Sequence, residues 1–264
     1  MNVKPLVSII SITYNSEKFL RGTIESVLGQ DYPRIEYIII DGGSKDNTLK
    51  IVEEYKGRIA KIISEPDRGI SDAMNKGIRL STGEIIGIIH SDDYYAGSSV
   101  VSRVVKAFEG SPDIKVTYGI QDFVDPDTGA VLLSWGKGSE PAEIRKRMYL
   151  PHPTVFCRRE VYEKAGLFRE DYRYAMDYEW AMRVTRFTRP YFINHKLAVM
   201  RDMGSSGKNY RISLSEGARA LRENGYYFDY LLTLGRNLVK IVLIELGLKD
   251  LLYKLWAKNV SKPS

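Results

Sequence analysis

Two hydrophobic patterns alternate along the first 112 residues. Short apolar runs, "LVSIISITYN", "IEYIIID", "AKIISEP" and "EIIGIIHSDD", are nearly unbroken by polar residues. Such runs predict strands covered on both faces. Between them apolar residues recur at helical spacing, as with Phe19, Leu20, Ile24, Val27 and Leu28 in "SEKFLRGTIESVLGQ". "SKDNTLKIVEEYKG", "ISDAMNKGIRLSTG" and "SSVVSRVVKAFEG" repeat the helical pattern, with Gly57 and Gly83 closing the first two. Strand–helix alternation predicts right-handed crossovers, hence an α/β fold with a mostly parallel, Rossmann-like sheet flanked by helices.

The pattern changes after about residue 112. "IKVTYGIQDFVDPDTGAVLLSWG" reads as two strands joined by a turn at Pro126–Gly129. "RYAMDYEWAMRVTRF" is the clearest helix of the stretch that follows, and from about residue 213 the chain reads as helix rich in Leu, Tyr and Lys. The expected organisation is one domain over 1–210, with halves 1–112 and 113–210, and a C-terminal helical extension over 211–264.

Composition narrows the class of partner. The net charge of +6 favours an acidic one: a phosphate-bearing ligand, nucleic acid or an anionic membrane surface. Outside the C-terminal helix the basic residues form no stripe interleaved with aromatics, which argues against nucleic acid. A single cysteine, Cys157, excludes a disulfide framework and points to a reduced, cytoplasmic setting. The N-terminal apolar run reads as a first strand and not as a signal peptide. No stretch reaches the roughly 18 apolar residues that would span a bilayer.

In open α/β sheets, ligands bind beyond the carboxyl ends of the strands. The expected ends carry Thr13, Tyr14 and Asn15; Asp41; Asp67 and Arg68; and the adjacent Asp92 and Asp93. Neither G-x-G-x-x-G after the first strand nor G-x-x-x-x-G-K-[ST] is present, which disfavours dinucleotide enzymes and P-loop NTPases. Carboxylates suit a nucleotide differently. They accept hydrogen bonds from base and ribose, and they hold a divalent cation that grips phosphates. Two neighbouring acids ending an apolar strand therefore suggest a cation site, with Asp93 as metal ligand and Asp92 on ribose or supporting the metal.

"VSIISITYN", "IEYIIIDGGSKDNT", "DAMNKGIRLSTGEIIGIIHSDD" and "AMDYEWAMRV" together resemble the family 2 glycosyltransferases of the GT-A fold, over roughly residues 5–205. The nearest likeness is to the bacterial group that builds O-antigen, capsule or exopolysaccharide. The resemblance implies an inverting, metal-dependent enzyme using Mg²⁺ or Mn²⁺. It would move sugar from a nucleotide-diphospho-sugar, with UDP preferred, to a lipid-linked or polysaccharide acceptor. By that likeness Thr13, Tyr14, Asn15 and Asp41 belong to the nucleoside pocket, Arg68 to the diphosphate, and Asp72 and Asn75 to a helix bordering the donor. Asp92 falls on the ribose side and Asp93 on the metal. Asp177 matches the general base, with Met176 where many relatives have glutamate and Glu179 where they often have a second aspartate. His152 and Thr154 fall in an acceptor-side loop, with Glu179 also counted on that side. The Gly/Ser loop 202–209 is placed to close over the diphosphate. A sugar nucleotidyltransferase and a non-catalytic nucleotide-sugar-binding scaffold are the competing readings. The first would need a Gly-rich, basic loop where "TYNSEK" stands, and the second has no use for both Asp93 and Asp177.

A continuous helix from Leu231 to Lys258 would gather Arg236, Lys240, Lys254 and Lys258 within roughly 40°, the other faces being mostly apolar. Two readings stay open: a helix lying on the inner face of the membrane, or one that packs in a homo-oligomer or against the domain. Gly235 and Gly247 are candidate breaks.

Overall fold

The computed structural model describes residues 4–201 and 209–248. The four apolar runs form β1 (Val7–Thr13), β2 (Ile35–Asp41), β3 (Lys61–Ser64) and β4 (Ile85–His90), parallel and ordered β3-β2-β1-β4. Their isoleucines are unbroken because both faces of the sheet are covered: Ile9, Ile10, Ile38, Ile39, Ile40, Ile85 and Ile86 have no exposed surface. On one face α1 (Leu20–Leu28), α2 (Thr48–Glu54) and α4 (Val100–Gly110) pack Leu20, Ile24, Val52, Val101 and Val104 against Ile9 and Ile39. On the other, α3 (Ile70–Leu80), α5 (Arg159–Ala165) and α6 (Met176–Val184) bring Met74, Ile78, Tyr162 and Trp180 to Ile10 and Ile38.

Parallel pairing holds for these four strands and then gives way to a mixed sheet. β5 (Asp93–Tyr95) is a short strand set apart from β4. β6 (Val116–Val124) and β7 (Val131–Trp135) form the expected hairpin, whose tight turn dictates antiparallel pairing. β8 (Phe156–Arg158) joins β4 to β6 with antiparallel ladders on both sides. β9 (Tyr191–Arg201) runs parallel to β6 and antiparallel to β5. The register sets Asp93 of β5 opposite Met200, and Met200 opposite Phe123 of β6.

Two helices follow, α7 (Tyr210–Glu223) and α8 (Tyr227–Glu245), separated at Gly225, whose φ of +81° suits a residue without a side chain. α7 buries Ala220 and Leu221 in the cluster that holds Trp180. Gly235 stays inside α8, while Gly247, at φ +75°, follows its end. The expected helix over 231–258 therefore begins earlier and stops at Glu245. Lys254, Lys258 and residues 202–208 lie outside the described residues.

Candidate active site

A cavity of about 750 Å³ opens at the carboxyl ends of β1 and β4. Thr13, Tyr14, Asn15, Asp92, Asp93, His152 and Asp177 all line it. The backbone at Asp92–Asp93 is fixed from two sides. Thr23 of α1 donates to the carbonyls of Ser91 (2.9 Å) and Asp93 (2.6 Å). The Arg201 guanidinium, between the rings of Phe19 and Tyr94, donates to the Asp92 carbonyl at 2.5 Å. Asp93 itself is wholly buried, and neither carboxylate oxygen has a hydrogen-bond partner among the described residues. Burial, and then the Asp92 charge, push its pKa well above the usual carboxylate range, against the pull of Arg201.

His90, Asp92 and Asp93 each offer a ligand atom, and these atoms lie within 4.8 Å of one another. The rings of His90 and His152 stand 5.1 Å apart, and Nε2 of each is buried without a partner. Burial lowers both imidazoles, His152 to about 3 with His90 as a second cause, so both are neutral at pH 7 and keep a lone pair for a ligand. A divalent cation fits this donor set: it would satisfy two orphaned oxygens and relieve the repulsion of two adjacent acids.

Across the cavity, Asp177 sits in the first turn of α6. Burial raises its carboxyl to about 6, opposed by backbone N–H groups. The loop ahead of this helix is clamped from α7. The Glu216 carboxylate accepts from the backbone N–H groups of Arg173 (2.8 Å), Tyr174 (2.8 Å) and Ala175 (3.0 Å). Such donors at a helix start are left unpaired by the helix itself, and an acid there also suits the helix dipole. Arg173 and Tyr174 line the cavity too, so the clamp holds both the wall and the start of the helix that carries Asp177.

The family model described as glycosyl transferase family 2 matches residues 8–166. The chain belongs to glycosyl transferase family 2. A Mycobacterium tuberculosis glycosyltransferase, Rv1514c, is 33% identical over 195 residues, 72% of each chain. Bacillus subtilis EpsJ, also a glycosyltransferase, is 32% identical over 190 residues, 66% of this chain and 54% of EpsJ. Among solved structures, S. aureus TarS 1–349 in complex with UDP superposes with a TM-score of 0.66 at 22% identity, over 82% of this chain and 65% of that one. The chain spans only 39% of the longer TarS chain. The mannosyltransferase PcManGT of Pyrobaculum calidifontis, in complex with GDP-Man and Mn²⁺, gives a TM-score of 0.65 at 18% identity, over 97% of this chain and 84% of PcManGT. At these identities the structural likeness carries the fold, which is GT-A-like as the motifs imply.

Within this family 2 fold, six expected site residues do not line the cavity. Asp41 is wholly buried, and its carboxylate is saturated by Gly43 N–H (3.1 Å), Ser44 N–H (3.0 Å), Ser44 Oγ (2.5 Å) and Ser64 Oγ (2.7 Å). Arg68 turns to Asp72 (3.3 Å) and Glu170 (2.8 Å), and Asp72 also pairs with Lys76 (3.4 Å). Asn75 bridges the backbone of Phe168 through both its amide oxygen (3.0 Å) and nitrogen (2.8 Å). Thr154 is spent on Gly119 N–H (3.1 Å) and the Pro151 carbonyl (2.7 Å). Glu179 faces Arg183 in a two-pronged ion pair, the closest approach 2.8 Å, on the side of α6 turned into the core. Asp67 takes the cavity position expected of Arg68. Gly42 makes room for it, since a side chain there would collide with the Asp67 carboxylate.

The cavity also gathers residues that sequence reading passed over: His90, Gln121, Phe123, Trp135, Arg173, Tyr174 and Met200. His90 left a signal, two places before Asp92 at the end of an apolar strand. Gln121 and Phe123 left a weaker one, their period-2 spacing on a strand. Glu216 left none, because its partners are backbone N–H groups some forty positions earlier in the chain.

Proposed function

We propose that this chain is an inverting glycosyltransferase. It transfers sugar from a nucleotide-diphospho-sugar, with UDP preferred, to a hydroxyl of a lipid-linked or polysaccharide acceptor. The observation that carries the reading is the placement of two perturbed carboxylates on one cavity: Asp93, buried without partners, and Asp177, raised to about 6. Asp177 accepts the proton of the attacking hydroxyl, and a carboxylate with a pKa near 6 is ionised at pH 7 yet basic enough for that transfer. His90, Asp92 and Asp93 would hold Mg²⁺ or Mn²⁺, and the imidazole in the set favours Mn²⁺. When bound, the cation neutralises charge on the departing nucleoside diphosphate. One base and one stabilised leaving group support direct displacement with inversion, since retention by double displacement needs a carboxylate nucleophile instead.

On the donor side, Asp41 is saturated, so polar recognition of the nucleoside falls to Thr13, Asn15 and Asp67. Thr13 Oγ1 is buried without a partner and is poised to bond the ligand. Arg173 lines the cavity, and Arg68 does not.

α8 supports a membrane-side setting. Tyr227, Leu231, Leu234, Leu238 and Val242 recur at helical spacing and are exposed, with Arg236 and Lys240 on the opposite side of the helix. No helix among the described residues is long and apolar enough to cross a bilayer, so contact would be interfacial. The apolar stripe would rest on the bilayer surface and hold a lipid-linked acceptor nearby.

Thermal-shift titration with UDP, GDP, dTDP and CMP, each with and without Mn²⁺, tests the donor assignment. UDP with Mn²⁺ should give the largest stabilisation, growing as RT ln(1 + [L]/Kd). A shift with CMP alone, or with none of the four, rejects it.

A further inference from the structure

We infer that Gln121 is a specificity residue for the sugar being transferred, accepting a hydrogen bond from one of its hydroxyl groups. The inference rests on the glycosyl-transfer reading above and deepens it: the group that faces Gln121 is a hydroxyl, not a deoxygenated carbon or a carboxylate. Gln121 lies on β6, is 1% exposed and lines the cavity. Its amide nitrogen donates to Met200 Sδ at 3.3 Å, while its amide oxygen is buried and has no hydrogen-bond partner among the described residues.

Met200 decides which end of the amide is left over. A thioether sulfur accepts a hydrogen bond and donates none, so it takes the N–H and leaves the oxygen. Turning the amide over would set carbonyl lone pairs against the sulfur and forfeit the N–H contact. Gln121 therefore presents a fixed acceptor. A buried acceptor in this state is costly until a donor reaches it. A sugar hydroxyl is such a donor. A carboxylate or an ionised phosphate carries only acceptor oxygens, which this oxygen repels.

The sheet places this acceptor on the sugar side of the cation site. Thr13, proposed above for the nucleoside, ends β1, and the strand order runs β1-β4-β8-β6. β4 ends at His90, just before Asp92 and Asp93. A donor with its nucleoside at β1 and its diphosphate at the end of β4 thus points its sugar toward β6. The register agrees. Gln121 stands opposite Ala198 of β9 and reaches two residues along that strand to touch Met200. Met200 stands opposite Asp93 of β5, and both line the cavity. Neighbouring strands lie about 4.8 Å apart, so the Gln121 amide is held one strand spacing from the level of the metal-ligating carboxylate.

Calorimetric titration of the full chain, with Mn²⁺ and without acceptor, tests this with UDP, UDP-glucose, UDP-galactose, UDP-N-acetylglucosamine and UDP-N-acetylgalactosamine. At least one of the sugar donors should bind. In its deoxyfluoro derivatives fluorine replaces one hydroxyl at a time and cannot donate, and one position should lose about tenfold or more in affinity. Gln121→Leu should bind the parent donor about tenfold more weakly, and fluorine at the sensitive position should then cost less than about twofold further. UDP itself should bind the variant within about twofold of the unmodified chain. If Gln121→Leu does not fold, as judged by its UDP thermal shift, Gln121→Met removes the same acceptor and is read the same way. The inference is overturned if every deoxyfluoro derivative binds like its parent, if the loss at the sensitive position persists in the Gln121 variant, or if UDP binds while no sugar donor does. A chain that binds neither UDP nor any sugar donor removes the donor reading as well.

Discussion

The tips of β2 and β4 look alike in sequence: a run of isoleucines, then an acid. Asp41 follows one tip and Asp93 the other, and both side chains are wholly buried. Their surroundings are opposite. Asp41 takes four hydrogen bonds from the turn after it and from Ser64 on the next strand. Asp93 takes none, and burial drives its pKa upward. The first carboxylate is finished as a structural element; the second is complete only when something else arrives. A buried acid at a strand end marks a ligand site through its unmet valence, not through its position.

Substitutions can break or sharpen that contrast. The largest expected effect is on turnover: Asp93→Asn and Asp177→Asn should each lower the rate of sugar transfer by about 10²–10⁴-fold. Urea melts should show no comparable loss of stability in either variant. Asp41→Ala should do the reverse at its own tip. Stranding Gly43, Ser44 and Ser64 donors in a buried turn should cost about 3–5 kcal/mol, read as a drop in the urea midpoint, with the donor-binding residues otherwise in place.

A smaller effect is expected at the clamp. Glu216→Gln keeps the shape but has one acceptor oxygen in place of two, so the loop before α6 loses part of its hold. We expect kcat to fall roughly tenfold with donor KM little changed, because the loss falls on positioning of Asp177 in the transition state. Equal losses in kcat and donor affinity would instead mean that the loop shapes donor binding.

The pH dependence follows from Asp177, whose carboxyl burial lifts to about 6. Transfer should fall about tenfold per pH unit below that value as the base becomes protonated. Stability has the opposite sign. The unfolded chain ionises this acid near pH 3.9, so the cost of burying the charge is absent below about pH 4 and fully present above about pH 6. Asp177→Asn should therefore gain on the order of 1–2 kcal/mol at pH 8 and nothing at pH 4, measured by urea melts at both. The smallest effect belongs to α8: Leu238→Glu should weaken sedimentation with phosphatidylserine vesicles several-fold and leave transfer to water-soluble acceptors unchanged.

Much of this was legible in the sequence. The strands of the first half could be read because their isoleucines serve two covered faces at once. The β6–β7 hairpin could be read because Pro126–Gly129 interrupts two apolar runs. The acids at Asp92, Asp93 and Asp177 could be picked out, and all three line the cavity. What stayed hidden depends on meetings across the chain. The Ser64 hydroxyl that saturates Asp41 arrives from another strand, and the Arg183 that absorbs Glu179 lies one helical turn away on a face that only the fold reveals. The end of the last helix could not be read, because spacing alone does not say that Gly235 rides within it while Gly247 follows its end.

The Glu216 clamp lies past the end of the segment that the family model matches, residues 8–166. The helix bearing Asp177 and the acid that steadies its approach both lie downstream of that edge. Chimeras assembled by swapping only residues 8–166 would thus import the proposed donor side without the proposed proton acceptor. A graft that moves residues 116–223 as one piece keeps the hairpin, the base and its brace in the company of one another.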